Sequence, residues 1–382
     1  MSSSHLNSPA VFRAPLWRLY LFIVLSSVIF LAAVSYYKWL DIKKETQIET
    51  TYLHKLLEQS SQDQFLQKAA MLRIFGDRLV DIGVFDNREK AQHLMDELLS
   101  ENPVFVAYGL ANPQGELILT SSNLSQKQLP NLLQFEKSAE SFRAALNSRG
   151  VTLGRTYLFK PLNEWIIPLR YAVRDQAGEV VAVMTTGISL DGENNPWKID
   201  GLPESVYINI IKDANAAGEY YPQFIHPLIM YGRDKEQTYD DPASQELVEH
   251  VVEHIEAAAG VDLDAFTQSG KAVYFNLKMP GVGQVYGTQG YNSDLKLFTA
   301  VRRSLLSMRD EFVAVFIWYF IVFTLFNVML VVFRYINNLQ REAKQQLEFQ
   351  ANHDQLTELP NRYYLKKKFP EWRKRWGNAY AR

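Results

Sequence analysis

The sequence predicts an α+β protein: two modules of antiparallel sheet with helices, carried on a long helix, bracketed by two membrane-length apolar helices and followed by a polar helix. Three observations predict it. Two segments, 19–37 and 312–333, run for 19 and 22 residues without a charge. The chain between them repeats one order of elements twice, and the residues after Arg334 change to a narrow apolar seam on a polar helix.

At about 1.5 Å per residue the two charge-free segments reach roughly 28 and 33 Å, close to the roughly 30 Å hydrocarbon core of a bilayer. Each is expected to be a membrane helix rather than a buried core helix, which rarely runs so far without a charge. A cleaved signal peptide is the rival for the first, since 32–35 (AAVS) are small residues near its end. Its apolar run continues through Tyr36 and Tyr37, which favours an uncleaved anchor. Arg13 and Arg18 before the first helix, and Arg334, Arg341 and Lys344 after the second, place both ends in the cytoplasm and 38–311 outside. Asn327 either faces a partner helix or is a tolerated polar residue.

The external region opens with 42–75, free of Pro and Gly and apolar at helical spacing, which reads as a long helix. Next come strand candidates 104–110 and 116–120 around the Asn112–Gly115 turn, a helix at 136–148, and strands 151–159, 165–174 and 179–190. The plan recurs: strands 205–211 and 219–224 around Asn215–Gly218, a helix at 243–259, then strands 271–279, 283–291 and 295–301.

Composition narrows the function classes. The 382 residues are 47% apolar and 21% charged, with 40 Lys+Arg against 42 Asp+Glu and no Cys. The near-neutral balance argues against a nucleic-acid partner. The missing thiols exclude disulfide staples, thiolate metal sites and a cysteine nucleophile. His250, Glu253 and His254 have the H-x-x-E-H form of a zinc-protease helix. The apolar stripe Leu247, Val248, Val251, Val252 and Ile255 leaves them on the flanks, so a solvated face is expected there and no metal site.

The element order, with the phrase IIPLRYAVRDQAGEVVAVMTTGISLD at 166–191, resembles the double Cache sensor of bacterial transmembrane receptors, two PAS-like modules hung on a long membrane-proximal helix. The resemblance covers about 40–305 and implies a distal module at about 76–200 and a proximal one at about 201–305. It also implies a small-molecule ligand in the distal module. On the matching strands Tyr157, Trp165, Arg170 and Tyr171 are the candidate contacts, aromatics for walls and a guanidinium for a carboxylate. The same residues would serve equally as core or, for Arg170, at the surface. The amino-acid-binding version of the family carries an Arg-x-Trp-Tyr run and a late Asp. Neither is present around 142–148 or at Gly187, so the ligand's identity stays open.

Beyond the second apolar segment, Ile336, Leu339, Ala343 and Leu347 at spacings of 3, 4 and 4 suit a parallel dimeric coil over 334–353, or a plain exposed helix. Then Asp354, Leu356, Thr357, Leu359, Pro360, Asn361 and Arg362 match the D-x-L-T-x-L-P-N-R opening of GGDEF domains, the catalytic modules of diguanylate cyclases. Glu358 stands where Gly is commoner, and Pro360 is expected in the first turn of a new helix. The resemblance implies the input half of an inner-membrane enzyme that condenses two GTP into cyclic di-GMP, working as a homodimer.

No GGDEF or GGEEF string occurs, and 354–382 holds only 29 residues, so no catalytic residue is assigned. Mg and GTP would belong to a catalytic domain outside this sequence, and the chain is expected to be a fragment or a natural truncation. A non-catalytic receptor is the alternative. A histidine kinase is a third reading, on His353-Asp354, although Leu356-Thr357-Glu358 does not continue that motif.

Overall fold

The computed structural model describes residues 13–84, 87–124, 129–190, 195, 197, 202–225, 234–280 and 282–379, and the side chains among them except those of 13–17, 371 and 374–379. Residues 1–12, Asp191 and Gly281, on which parts of the sequence reading fall, lie outside these. The chain divides into two compact units, one of Leu40–Glu311 and one formed by the segments on either side of it.

In the Leu40–Glu311 unit, two antiparallel sheets share the helix α1 (Arg13–Asp81). The first sheet holds β1 (Phe105–Ala111), β2 (Leu117–Thr120), β3 (Thr152–Leu153), β4 (Tyr157–Phe159), β5 (Glu164–Arg174) and β6 (Val180–Ser189), in the order β2-β1-β6-β5-β3, with β4 also on β5. The second holds β7 (Val206–Lys212), β8 (Tyr221–Ile225), β9 (Val273–Met279), β10 (Gly283–Asn292) and β11 (Leu297–Ser304), in the order β8-β7-β11-β10-β9. This is the expected α+β class with its two sheet modules on a long helix. The predicted strand at 151–159 is broken into β3 and β4. Its Gly154 sits where an added Cβ would lie 2.5 Å from Pro168, a separation that only glycine permits.

One stripe of α1 carries the packing. Ile42, Thr46, Thr50, His54, Leu57, Ser61, Phe65, Leu72, Phe75 and Leu79 are all buried, at spacings of mostly three and four residues. From Leu57 onward the stripe is chiefly apolar and joins the core of the first sheet through Tyr108, Leu110, Leu169 and Met184. Between 46 and 54 it is polar and meets the second sheet: Thr50 and Thr51 lie 3.3 and 3.0 Å from the Thr288 hydroxyl, and His54 Nε2 is 2.8 Å from that of Thr299.

Three helices stand beyond the expected order: α2 (Arg88–Glu101), α4 (Lys235–Asp240) and α6 (Leu263–Ser269). The two predicted ones are present as α3 (Glu136–Asn147) and α5 (Gln245–Ala259). A buried seam joins the modules. Thr156 donates through its backbone N–H to Gln223 Oε1 at 3.2 Å and through its hydroxyl to the Gln223 carbonyl at 2.7 Å, and Gln223 Nε2 donates to the Gly154 carbonyl at 2.8 Å.

In the other unit, two helices among the described residues are long and apolar enough to cross a membrane: α1, and α7 (Leu305–Asn352). Their side chains meet in antiparallel order. Trp39 packs edge-on to Phe312 with ring centroids 5.7 Å apart, Ser27 and Asn327 lie within 3.3 Å, and Arg334 sits over the Tyr20 ring. Asn327 therefore has a partner helix, and it also donates to the Phe323 carbonyl at 2.8 Å.

Candidate ligand-binding site

Period-two alternation on β5 divides the four candidate contacts between opposite faces of the first sheet. Tyr157 pairs with Ile166, and Ile166, Pro168, Arg170 and Ala172 share one face, covered by α3. Trp165 and Tyr171 are on the other, toward α1. Trp165 packs against Tyr239 at 5.2 Å in the central core, and Tyr171 lies against Gly76 of α1. Trp165 and Tyr171 thus stand apart from Tyr157 and Arg170, which meet.

Arg170 is fully buried. It donates through Nη1 to the Ser141 hydroxyl of α3 and sits beside the Tyr157 phenol, while its Nε and Nη2 find no hydrogen-bond acceptor among the described residues. Burial lowers the guanidinium's pKa and raises the phenol's, and their mutual attraction opposes both shifts. The space on this face is small. A cavity of about 50 Å³ lies between Tyr157, Pro168, Thr185 and the loop at Leu132, because Phe142, Ala145 and Leu132 fill the rest against Ala111, Ala172 and Val183. That is room for a few waters, below the usual size of a ligand pocket.

The second sheet presents a different interior. Asn209 and Ile211 of β7, Phe298, Ala300 and Arg302 of β11, and Gln289 of β10 share the face under α5. Together with Leu247, Val248, Val251 and Val252 of α5 they line a cavity of about 450 Å³. The cause is local. Ala300 is small, and α5 buries only Ile255 completely. Leu247, Val248, Val251 and Val252 face the cavity, while Val251 also packs toward Leu277 and Val285 of the sheet.

Asn209, Gln289 and Arg302 bring polar groups to this cavity from the sheet, and Thr238, Asp241 and Ser244 bring others from α4 and the segment leading into α5. Arg302 donates to Gln289 Oε1 at 2.6 Å and to Met279 Sδ at 3.3 Å, with its guanidinium 5.9 Å from the Phe275 ring centroid. Asn209 is 7% exposed, and its Oδ1 has no hydrogen-bond partner among the described residues. Sequence reasoning places its candidate contacts in the first module and does not anticipate this cavity. The available signal is three polar residues, Asn209, Gln289 and Arg302, one on each of β7, β10 and β11.

Two other places gather chemically capable side chains. His250, Glu253 and His254 present ligand atoms within 4.8 Å of one another on the flank of α5, as their spacing implies. His254 Nδ1 is engaged by the His250 carbonyl at 2.8 Å, and nothing else about the trio points to a metal. A depression of about 500 Å³ between the end of α1 and α2 is lined by Arg78, Glu89, Lys90, His93 and Glu97, charged surface side chains without a fixed polar constellation.

At the far end of α7 the 354–362 motif forms a closed turn. Asp354 accepts from the Leu356 and Thr357 backbone N–H groups and the Thr357 hydroxyl, all at 3.1 Å, which holds its carboxyl below the usual range. Asn361 donates to the Ala351 carbonyl at 2.8 Å and accepts from Tyr364 N–H at 2.9 Å, so it closes α7 and caps α8 (Arg362–Ala379) at once. Pro360 lies outside the helix, bridging to His353, which corrects its expected place in the first turn. Glu358 has φ of 53°, the left-handed conformation that glycine adopts at least cost.

No protein-family model matches the chain, and no curated protein matches it. Among solved structures the chain is similar to the ligand-binding domain of the Campylobacter jejuni chemoreceptor Tlp3 in complex with 4-methylisoleucine, at 11% identity and TM-score 0.44, over 70% of this chain and 94% of that one. It is similar to the extracellular domain of rpHK1S-Z16, a proposed histidine kinase, at 16% identity and TM-score 0.47, over 68% and 95%. A third is the ligand-binding domain of the Pseudomonas aeruginosa PAO1 amino acid chemoreceptor PctB in complex with L-Arg, at 11% and 0.44, over 68% and 96%. Likeness at this level is one of general form.

Proposed function

We propose that the chain is a two-pass inner-membrane signalling sensor and the input half of a diguanylate cyclase, with Leu40–Glu311 in the periplasm and both termini in the cytoplasm. One observation carries the reading. β11 ends at Ser304, α7 starts at Leu305, and α7 runs without a break through the apolar segment to the turn whose residues match the GGDEF opening. A strand that floors an external cavity is thus continuous with the element that would enter a catalytic domain.

Binding against β11 would bias that strand, and the shift would pass along α7 to the turn. The exposed seam of Ile336, Leu339 and Leu347 suits a second copy of α7, which would bring two catalytic domains together. Leu356 is 96% exposed, an apolar side chain onto which a following domain would pack. Mg and GTP would belong to that domain.

The test is the native reading frame past the codon for Arg382. The expected result is an open frame reaching a GGDEF-type string. A frame that stops at once, or runs into a domain of another class, overturns the cyclase assignment and leaves a receptor.

A further inference from the structure

The first sheet buries a cation without a carboxylate beside it among the described residues. Arg170 is fully buried, and a guanidinium keeps its proton inside a protein. Its cross-strand partners are Thr152 and Thr185, its Nη1 donates to Ser141, and Tyr157 stands against it, so hydroxyl-bearing residues approach it from β3, β6, α3 and β4. Glu140, next to Ser141 on α3, is exposed and acts on Lys212. We infer that a small monovalent anion, with chloride as the type, binds at Arg170 Nε and Nη2 and neutralises the buried charge. The inference does not depend on the signalling reading.

The energetics of burial carry it. A charge taken out of water is costly unless it is both paired and hydrogen-bonded, and the Nε and Nη2 donors of Arg170 have neither kind of partner. Tyr157 does not supply the missing charge. Burial, opposed in part by Arg170, raises its pKa, so the phenol keeps its proton. The guanidinium is also enclosed. At Gly154 an added Cβ would lie 3.1 Å from Arg170 Nη1 and 2.8 Å from Ser141 Oγ, so the chain between β3 and β4 closes over Arg170 only with glycine there. Size and charge select the ion. The cavity of about 50 Å³ adjoins Tyr157 and Thr185, which leaves room for bodies about the size of a water, and a dianion would bring an unpaired negative charge of its own.

The test is thermal unfolding of the full chain in lipid nanodiscs, in sodium chloride and in sodium gluconate at equal ionic strength. An ion bound only by the folded state stabilises it by mass action, so the folding constant should gain about tenfold for each tenfold rise in chloride above the dissociation constant, read as a higher Tm. Tight binding cannot hide this dependence, because unfolding releases the ion. Arg170→Met, an uncharged side chain in place of the cation, should fold and lose the dependence. If that variant does not fold, crystals of the full chain grown in bromide replace it: anomalous density in contact with the Arg170 guanidinium is expected, and its absence there overturns the site.

Equal Tm values in chloride and gluconate overturn the inference, and so does a chloride dependence that survives in Arg170→Met. In the first case, tyrosinate absorbance at neutral pH that disappears in Tyr157→Phe would give the counter-charge to the phenolate.

Discussion

The two modules hold their covering helices with different weights of packing and capping. In the first, α3 buries Ser138, Ala139, Ser141, Phe142 and Ala145 and has no side-chain cap at Phe135. In the second, α5 buries only Ile255, but Ser244 caps its first turn by accepting from Leu247 N–H, and Gly260 closes its end at φ of 70°. One helix packs along much of its length and leaves little space; the other has both ends capped, packs through Val251, Ile255 and Ala259, and leaves a cavity. The comparison teaches that a repeated fold can be specialised by changing how a helix is anchored, without changing the order of elements.

The largest expected effect comes from breaking the packed side. Phe142→Ala should destabilise the unit by about 3–5 kcal/mol, since a fully buried ring leaves a void that its neighbours fill only in part. Equilibrium denaturation measures it, and a loss under about 1 kcal/mol would mean that the first module tolerates an open interior as the second does.

The polar and apolar halves of α1 extend the contrast to pH. Burial, opposed by Thr299, lowers the pKa of His54 from 6.5 to about 4. The unfolded chain therefore takes up the proton first. The stability that neutral His54 contributes is whole above pH 6.5 and is lost as pH falls from there through about 4, in total about 3 kcal/mol. His54→Asn should flatten that part of the stability profile, and identical slopes in the two proteins would refute the assignment. The smallest effect belongs to the cap. Ser244→Ala should cost about 1 kcal/mol and speed hydrogen exchange in α5 while leaving α3 unchanged.

Much of this architecture is legible in the sequence because strands and turns announce themselves. Asn112–Gly115 and Asn215–Gly218 place the same turn in both modules, and both are hairpins with glycine at positive φ. The helix α2 carries a readable signal as well. Asn87 caps Lys90 N–H, and Ala91, Leu94, Met95 and Leu98 follow at helical spacing. The short α4 and α6 are held by Asp234 and Asp262 caps, which are hard to separate from loop residues in a sequence.

The candidate site is less legible. Parity along β5 is enough by itself to separate Trp165 and Tyr171 from Arg170 once those residues are read as one strand, with the bulge at Val173/Arg174 falling beyond them. What no pattern conveys is volume. Whether a face is filled depends on how closely α3 or α5 approaches its sheet, a property of the whole packing rather than of any short run of residues.

The Ser27–Asn327 pair gives the apolar helices a preferred register. Sliding one helix past the other by a turn would separate the two side chains, at a cost of about 1 kcal/mol, while Asn327 keeps its bond to the Phe323 carbonyl. Set against thermal energy, that is a preference of roughly fivefold. The pair therefore biases the two helices toward one alignment and leaves neighbouring alignments within easy reach.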